Sequence, residues 1–353
     1  MWIGNRKIGP GHAPFIIAEI SGNHKGEFGR AKALIEAAGQ AGVDAVKLQT
    51  YTADTITIDC EKDDFRITDP DSLWHGRTLH SLYDEAHTPW EWHQDLFDYA
   101  RSLGMEAFST PFDETAVSFL ETCNVPCYKI ASFEHTFIPL LKQVAATGKP
   151  VIISCGLASL EEISETVDTV RAAGAQDLCL LCCTSSYPAS IEDSNLRTIP
   201  DMRLRFPDAE IGLSDHTLGG TAATVAVALG ATVIEKHLTL EEDDGAVDGG
   251  FSLTPAQMTD YVQQLRDAFN ALGGVHYGSA SQKEDKSKQF RRSIYVVDDI
   301  KSGQILTPDN IRCIRPGYGL PTKYYEAILG KRAAMDLTRG TALEAKMLEG
   351  QDI

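Results

Sequence analysis

No stretch of the 353 residues approaches the roughly 18 consecutive apolar side chains that a bilayer-spanning helix needs. The opening MWIGNRKIGPGHAPFII has no apolar segment behind a basic head, so neither an anchor nor an export signal is expected and the cytoplasm is the expected setting. Positive charge is scarce: 32 Lys and Arg against 50 Asp and Glu give a formal net charge of −18. That field repels nucleic acid, anionic lipid and any phosphorylated ligand, so a phosphate could bind only where cations and backbone donors are placed locally. A pair of CxxC units is also missing. The eight cysteines (Cys60, Cys123, Cys127, Cys155, Cys179, Cys182, Cys183 and Cys313) are scattered, several within apolar runs, and read as reduced core residues rather than a disulfide frame or zinc site. Cys155 lies in a turn beside candidate ligand-binding residues, and burial without chemistry is its simplest reading.

What is present is ordinary globular composition, 43% hydrophobic and 23% charged, at a length that suits one large domain plus a smaller one. From residue 15 to about 237, short apolar or β-branched runs alternate with longer helical patterns, as in βα units with parallel strands. The strand segments are 15–20, 43–49, 105–110, 127–132, 150–155, 178–183, 210–215 and 232–238. Eight such strands close a (β/α)8 barrel, so the expected class is α/β. Between them, residues 29–41 are alanine-rich with apolar spacing, Ser159-Leu-Glu-Glu carries a helix cap with early carboxylates, and 217–230 reads as another alanine-rich helix. The opening residues look like a small hairpin able to plug the barrel floor. Residues 51–92 form a long insertion after the second strand, rich in Asp, His and Trp; Pro89 suits a first helical turn, with Trp90 and Trp92 given packing roles only.

The expected organisation is a barrel over 1–273, a polar, glycine-bearing linker over 274–290, and a small domain over 291–353 made of short strands and turns such as KSGQ and TRGT. About sixty residues bury too little surface to stand alone, so this domain should dock on something.

In a parallel barrel the chemistry gathers at the carboxyl ends of the strands. Those ends carry Glu19, Lys47 with Gln49, Thr110, Lys129 with Ser132, Ser154, Thr184 with Tyr187, Ser214-Asp215-His216 and Glu235-Lys236-His237. Lys47 and Lys129 sit in otherwise apolar runs, where an unpaired ammonium would cost several kcal/mol. A structural ion pair with Glu19 or Glu235 would satisfy either one singly. Two such lysines, with hydroxyl donors from Thr110, Ser132 and Ser154, favour a phosphate or carboxylate clamp. His216 and His237 end neighbouring strands, and their imidazoles suit a divalent metal, with Glu19 or water completing its shell. Asp248, in EEDDGAVDGGFS, can bind substrate hydroxyls or simply be solvated. Arg315, in IRPGYGL, reads on its own as a surface arginine.

The strings IAEISGNHKG, VKLQTYTADT, STPFDE, YKIASFE, LSDHTLG and IEKHLTL resemble the sialic acid synthase family, in order and over nearly the whole chain, and the tail is similar to that family's antifreeze-like (SAF, β-clip) domain. Within the family, LWHG…LYDEAHTPWEWH, FSTPFDETAV and FRRSIYVVDDIKSG resemble the branch that makes pseudaminic acid more than the neuraminate branch. The resemblance implies a transferase that condenses phosphoenolpyruvate with the open-chain aldehyde of 2,4-diacetamido-2,4,6-trideoxy-β-L-altropyranose, releasing phosphate by C–O cleavage. It implies a manganese or magnesium ion on His216 and His237 and a catalytic Glu19. Phosphoenolpyruvate contacts fall on Lys47, Thr110, Lys129, Ser132, Ser154 and Ser214, and sugar contacts on Gln49, Tyr187 and Asp248. Arg315 is implied to reach the partner subunit's site in a domain-swapped homodimer. Two departures stand out: Ser185 and Ser186 where neuraminate synthases show asparagine before the YP pair, and Cys155 and Leu157 in the turn after Ser154. The first bears on which sugar is bound, and Ser185 joins the substrate-binding candidates. N-acetylneuraminate or legionaminate synthesis remains the alternative on the same machinery; a heptulosonate-type aldolase or a non-catalytic carbohydrate-binding protein is more distant.

Overall fold

The protein is described here from a computed structural model covering residues 1–242 and 245–350. The chain divides into two units, Met1–Gly273 and Gly274–Ile353. The first opens with an antiparallel hairpin, β1 (Trp2–Ile3) and β2 (Arg6–Lys7). Eight parallel strands follow: β3 (Phe15–Glu19), β4 (Ala45–Thr50), β5 (Glu106–Pro111), β6 (Tyr128–Ile130), β7 (Val151–Ser154), β8 (Leu178–Cys183), β9 (Glu210–Asp215) and β10 (Val233–His237). They close in the order β10-β3-β4-β5-β6-β7-β8-β9. This is the (β/α)8 barrel that the sequence pattern predicts, each strand lying within two residues of its expected ends.

The strands read as nearly unbroken apolar runs because both faces are covered, the barrel interior by side-chain layers and the exterior by helices. Around the barrel run α1 (Phe28–Ala41), α2 (Ala53–Ile56), α3 (Leu79–Ala86), α4 (His93–Ser102), α5 (Glu114–Thr122), α6 (Ile138–Ala146), α7 (Leu160–Ala172), α8 (Thr198–Arg205), α9 (Thr221–Ala228) and α10 (Pro255–Leu272). Their starts are written locally. Ser159 accepts the Glu162 N–H at 3.2 Å while the Glu162 carboxylate takes the Ser159 N–H at 2.8 Å, and Thr254 with Gln257 repeats that box before Pro255. Gly42 ends α1 at φ 81°, a left-handed conformation that glycine adopts freely.

The hairpin does cover the barrel floor. Ile3 and Ile8 are buried in the main core, the Asn5 N–H donates to Glu106 Oε1 at 3.0 Å, and Glu106 is the first residue of β5. The opposite end, where the strands finish, is left for chemistry.

Strand alternation sorts the polar residues there. Lys236 and Asp215 turn outward and meet at 3.4 Å beneath α10, whose Tyr261 hydroxyl donates to Asp215 at 3.1 Å. Their immediate neighbours Glu235, His237 and Ser214 therefore face inward.

The second unit has its own small core, including Ile294, Val296, Ile300, Ile311, Leu337 and Leu343, around the antiparallel pair β11 (Ser293–Val296) and β12 (Ile311–Ile314). Within the polar stretch 274–290, Ser281 caps the Glu284 N–H at 3.1 Å and starts the short helix α11 (Gln282–Lys286). A last short helix, α12 (Tyr325–Ile328), completes the unit.

Candidate active site

Glu19, Lys47, Lys129, Glu235, His216 and His237 stand together at the carboxyl ends of their strands, each at most 7% exposed. Lys47 forms an ion pair with Glu19, donates to Thr110 Oγ1 at 2.9 Å and lies 3.8 Å from Glu235 Oε1. Lys129 lies 3.6 Å from that same Glu235 oxygen and donates to the Ile130 carbonyl at 3.2 Å. Ser214 donates to Glu235 Oε1 at 3.3 Å. Register makes this convergence necessary: Glu19 pairs with Lys47 on one side and His237 on the other, and Ser214 pairs with Glu235.

Two ammoniums and two carboxylates would leave the cluster neutral. Burial, only partly offset by Lys47, pushes the Glu19 carboxyl up to about 7, whereas Glu235 is held below its usual range because Lys129 and Lys47 outweigh the cost of burial. With Glu19 protonated the cluster carries net positive charge. Free acceptors and donors line it: Glu235 Oε2 and Ser154 Oγ are buried without a hydrogen-bond partner. Orphaned polar atoms of this kind cost free energy unless a ligand or water meets them.

The two histidines form the second half of the site, with ring centroids 5.4 Å apart. His216 Nδ1 is engaged by the Thr184 carbonyl at 3.0 Å. Burial drives His237 well below the ordinary histidine range, with His216 and the lysines adding to the effect, so its imidazole is neutral; its Nδ1 is buried without a hydrogen-bond partner. A neutral imidazole with an unused lone pair fits a divalent cation. The Glu19 carboxylate is paired with Lys47 and accepts the Ser21 N–H at 2.7 Å. Among the described residues no three His, Cys, Asp or Glu side chains gather to hold a metal by themselves, so water or substrate oxygens would have to supply the rest.

The profile of the NeuB family matches residues 34–277, and that of the SAF domain matches 291–349. The chain belongs to the NeuB family. It is 41% identical over 330 residues to the pseudaminic acid synthase of Campylobacter jejuni strain 81-176, covering 94% of this chain and 95% of that protein. With the pseudaminic acid synthase of Helicobacter pylori the identity is 38%, covering 95% and 98%. The crystal structure of the spore coat polysaccharide biosynthesis protein SpsE from Bacillus subtilis superposes with a TM-score of 0.67 at 33% identity, covering 100% of this chain and 99% of that one.

Of the other residues singled out in this NeuB-family chain, Tyr187 packs against His216 at 4.6 Å and Phe251 at 5.1 Å between ring centroids. The buried Asp248 accepts the Ser21 hydroxyl and stands 3.9 Å from His237 Nδ1. Gln49 lies two residues beyond Lys47 on the same face of β4, beside Thr110 in the neighbouring strand. Ser132 Oγ accepts the Gly156 N–H at 3.2 Å, and a Cβ on Gly156 would meet the hydroxyls of both Ser185 and Ser132. Arg315 belongs to the second unit and is exposed.

Sequence reasoning placed Glu235 only as an ion-pair partner, although its position two residues before His237 puts it on the same inward face. It passed over Glu134, whose Oε2 is buried without a partner and whose carboxyl burial pushes up to about 7, Lys129 pulling the other way. Desolvation holds the half-buried Cys155 thiol far above its usual range, whereas its neighbour Cys183 shifts the other way, because hydrogen bonding and charge from His216, with Ser132 and Lys129, outweigh desolvation there.

Proposed function

We propose that this chain condenses phosphoenolpyruvate with the open-chain form of 2,4-diacetamido-2,4,6-trideoxy-altrose and water, giving pseudaminic acid and phosphate. The observation that carries the reading is the buried Lys47–Lys129 pair, the two ammoniums 3.8 and 3.6 Å from Glu235 Oε1, beside the unpartnered hydroxyl of Ser154. Identity of 38–41% over nearly the full length to proteins named pseudaminic acid synthase supports the choice of sugar.

Lys47 and Lys129 hold the phosphate and carboxylate of phosphoenolpyruvate, with Ser154, Ser132, Thr110 and Ser214 as hydroxyl donors. A divalent ion, manganese or magnesium, would be held by His216 and His237 and would draw electron density from the sugar's aldehyde oxygen. Attack of C3 on the aldehyde carbon leaves cationic character at C2, which a water captures. Expulsion of phosphate with its bridging oxygen then leaves the C2 ketone. Glu19, carrying or releasing a proton near neutral pH, orients that water and moves its proton. Positioning of the two reactants alone supplies roughly 7–11 kcal/mol of the barrier.

The working unit is proposed to be a domain-swapped homodimer, with Arg315 acting at the partner's sugar site. Phe133, Leu157, Ile191 and Leu218, in the loops after β6, β7, β8 and β9, are 43–73% exposed, an apolar rim that a second copy would cover. Eight unpaired cysteines support a reducing, cytoplasmic setting, and no helix among the described residues is long and apolar enough to cross a membrane.

The test is incubation with phosphoenolpyruvate, manganese and either the 6-deoxy diacetamido sugar or N-acetylmannosamine, following phosphate and product mass. Turnover confined to the first sugar is expected. Turnover confined to N-acetylmannosamine would keep the chemistry and overturn the substrate.

A further inference from the structure

The insertion after β4 closes on itself and returns one side chain to the barrel mouth. Arg66 bridges to Thr78 in antiparallel fashion, the Ile67 N–H donates to the Arg77 carbonyl at 2.9 Å, and the Gly76 N–H donates to the Ile67 carbonyl at 2.8 Å. From the tip of this loop Trp74 donates its indole N–H to the Val247 carbonyl at 3.0 Å, and its ring lies 5.8 Å from that of Tyr187. Tyr187 in turn rests on His216 and Phe251, and Val247 precedes the buried Asp248. Trp74 is half-buried, so part of its indole stays open rather than consumed by the core.

We infer that Trp74 is a specificity-determining residue: with Tyr187, which is backed by the buried Phe251, it forms an aromatic wall against which methyl-bearing substituents of the amino sugar pack. The inference rests on the proposed function. Phosphoenolpyruvate, held by Lys47 and Lys129, lies deep, and the aldehyde carbon must reach its C3 near the histidines. The remaining carbons of the sugar therefore extend outward past Tyr187 to the rim. There the two sides differ chemically. Asp248 and Ser21 present a carboxylate and a hydroxyl, which suit sugar hydroxyl or amide groups, whereas Trp74 and Tyr187 offer apolar faces. A sugar lacking its C6 hydroxyl and carrying acetamido methyls matches that division, and a hydroxyl pressed on the ring faces would be stripped of water without a partner.

The experiment is steady-state kinetics of the full-length wild-type protein, Trp74→Ala and Trp74→Phe with the 6-deoxy diacetamido sugar, varying each substrate in turn. Trp74→Ala is expected to raise KM for the sugar about tenfold, the worth of one to two methyl-sized contacts. KM for phosphoenolpyruvate and kcat should stay within about twofold, because truncating uniform ground-state binding leaves the chemical step alone. Trp74→Phe keeps a ring but loses the bond to Val247, and it should recover most of the sugar affinity. An unchanged sugar KM in Trp74→Ala would overturn the inference. So would a Trp74→Phe variant as impaired as Trp74→Ala, since the indole would then be only a strut holding the Asp248 turn. Wild-type inactivity with this sugar would instead sink the proposed function, so the two failures are distinguishable.

Discussion

At the scale of single residues the site is governed by desolvation. Two lysines survive in an apolar barrel because Glu19 and Glu235 stand beside them, and the same burial that threatens the ammoniums lifts Glu19 to about 7. Glu19→Gln keeps the shape and removes the titrating group, so turnover should fall at least a thousandfold, while phosphoenolpyruvate binding, followed by calorimetry, changes little; a near-normal rate would contradict the role given to Glu19. Burial acts oppositely on His93, lowering it to about 4 against backbone hydrogen bonds that raise it. The unfolded chain binds a proton at this residue near pH 6.5, and the folded chain does so only near 4, so between those values acid favours unfolding. Stability tied to neutral His93 is complete above pH 6.5 and lost as pH falls toward 4. Glu19 and Glu134, both raised to about 7, have the reverse slope over a similar range, so only a difference measurement isolates the histidine. In urea titrations with chelator present, the stability of wild type relative to His93→Gln should shrink by up to about 3 kcal/mol from pH 7 to 4; a constant difference would place His93 outside this linkage.

At the scale of elements, the barrel strands were legible because their apolar runs end in chemistry-bearing residues and their helices begin with local caps such as Ser159. Lys47, Lys129, His216 and His237 stood out because charge and imidazole are conspicuous in such runs. Less visible was what depends on long-range packing. Trp74 meets Val247 across 173 residues, a contact that no spacing rule announces, and the insertion around it has no period to read. Glu235 was hidden by its own chemistry, since a carboxylate beside lysine reads first as a structural ion pair. Conversely, α11 escaped because a polar segment reads as linker, although Ser281 and Glu284 carried the cap. Gly212 in β9 shows what close packing demands: a Cβ there would lie within 2.6 Å of Leu181 Cδ2 and against the Val233 carbonyl. Gly212→Ala should therefore destabilise the barrel by about 1–3 kcal/mol in denaturant titrations; an unchanged midpoint would mean that β9 and β10 separate more easily than their register suggests.

At the scale of the whole molecule, the proposed exchange of domains makes a prediction that mixing can test. Glu19→Gln subunits, expected to be inactive, retain Arg315, and Arg315→Ala subunits retain Glu19 while lacking the arginine proposed to reach across. Co-refolded heterodimers should regain one competent site, recovering a substantial fraction of the wild-type sugar affinity that Arg315→Ala alone lacks. If the mixture is no better than the average of its parents, Arg315 acts within its own chain or not at all. The reaction itself is tested most directly by the fate of one atom. With phosphoenolpyruvate carrying heavy oxygen at the bridge between C2 and phosphorus, the 6-deoxy diacetamido sugar and manganese, mass spectrometry should find the label in released phosphate and none in the nine-carbon product. Label retained in the sugar, or phosphate released without a nine-carbon product, would contradict condensation by C–O cleavage at the Lys47–Lys129 cluster.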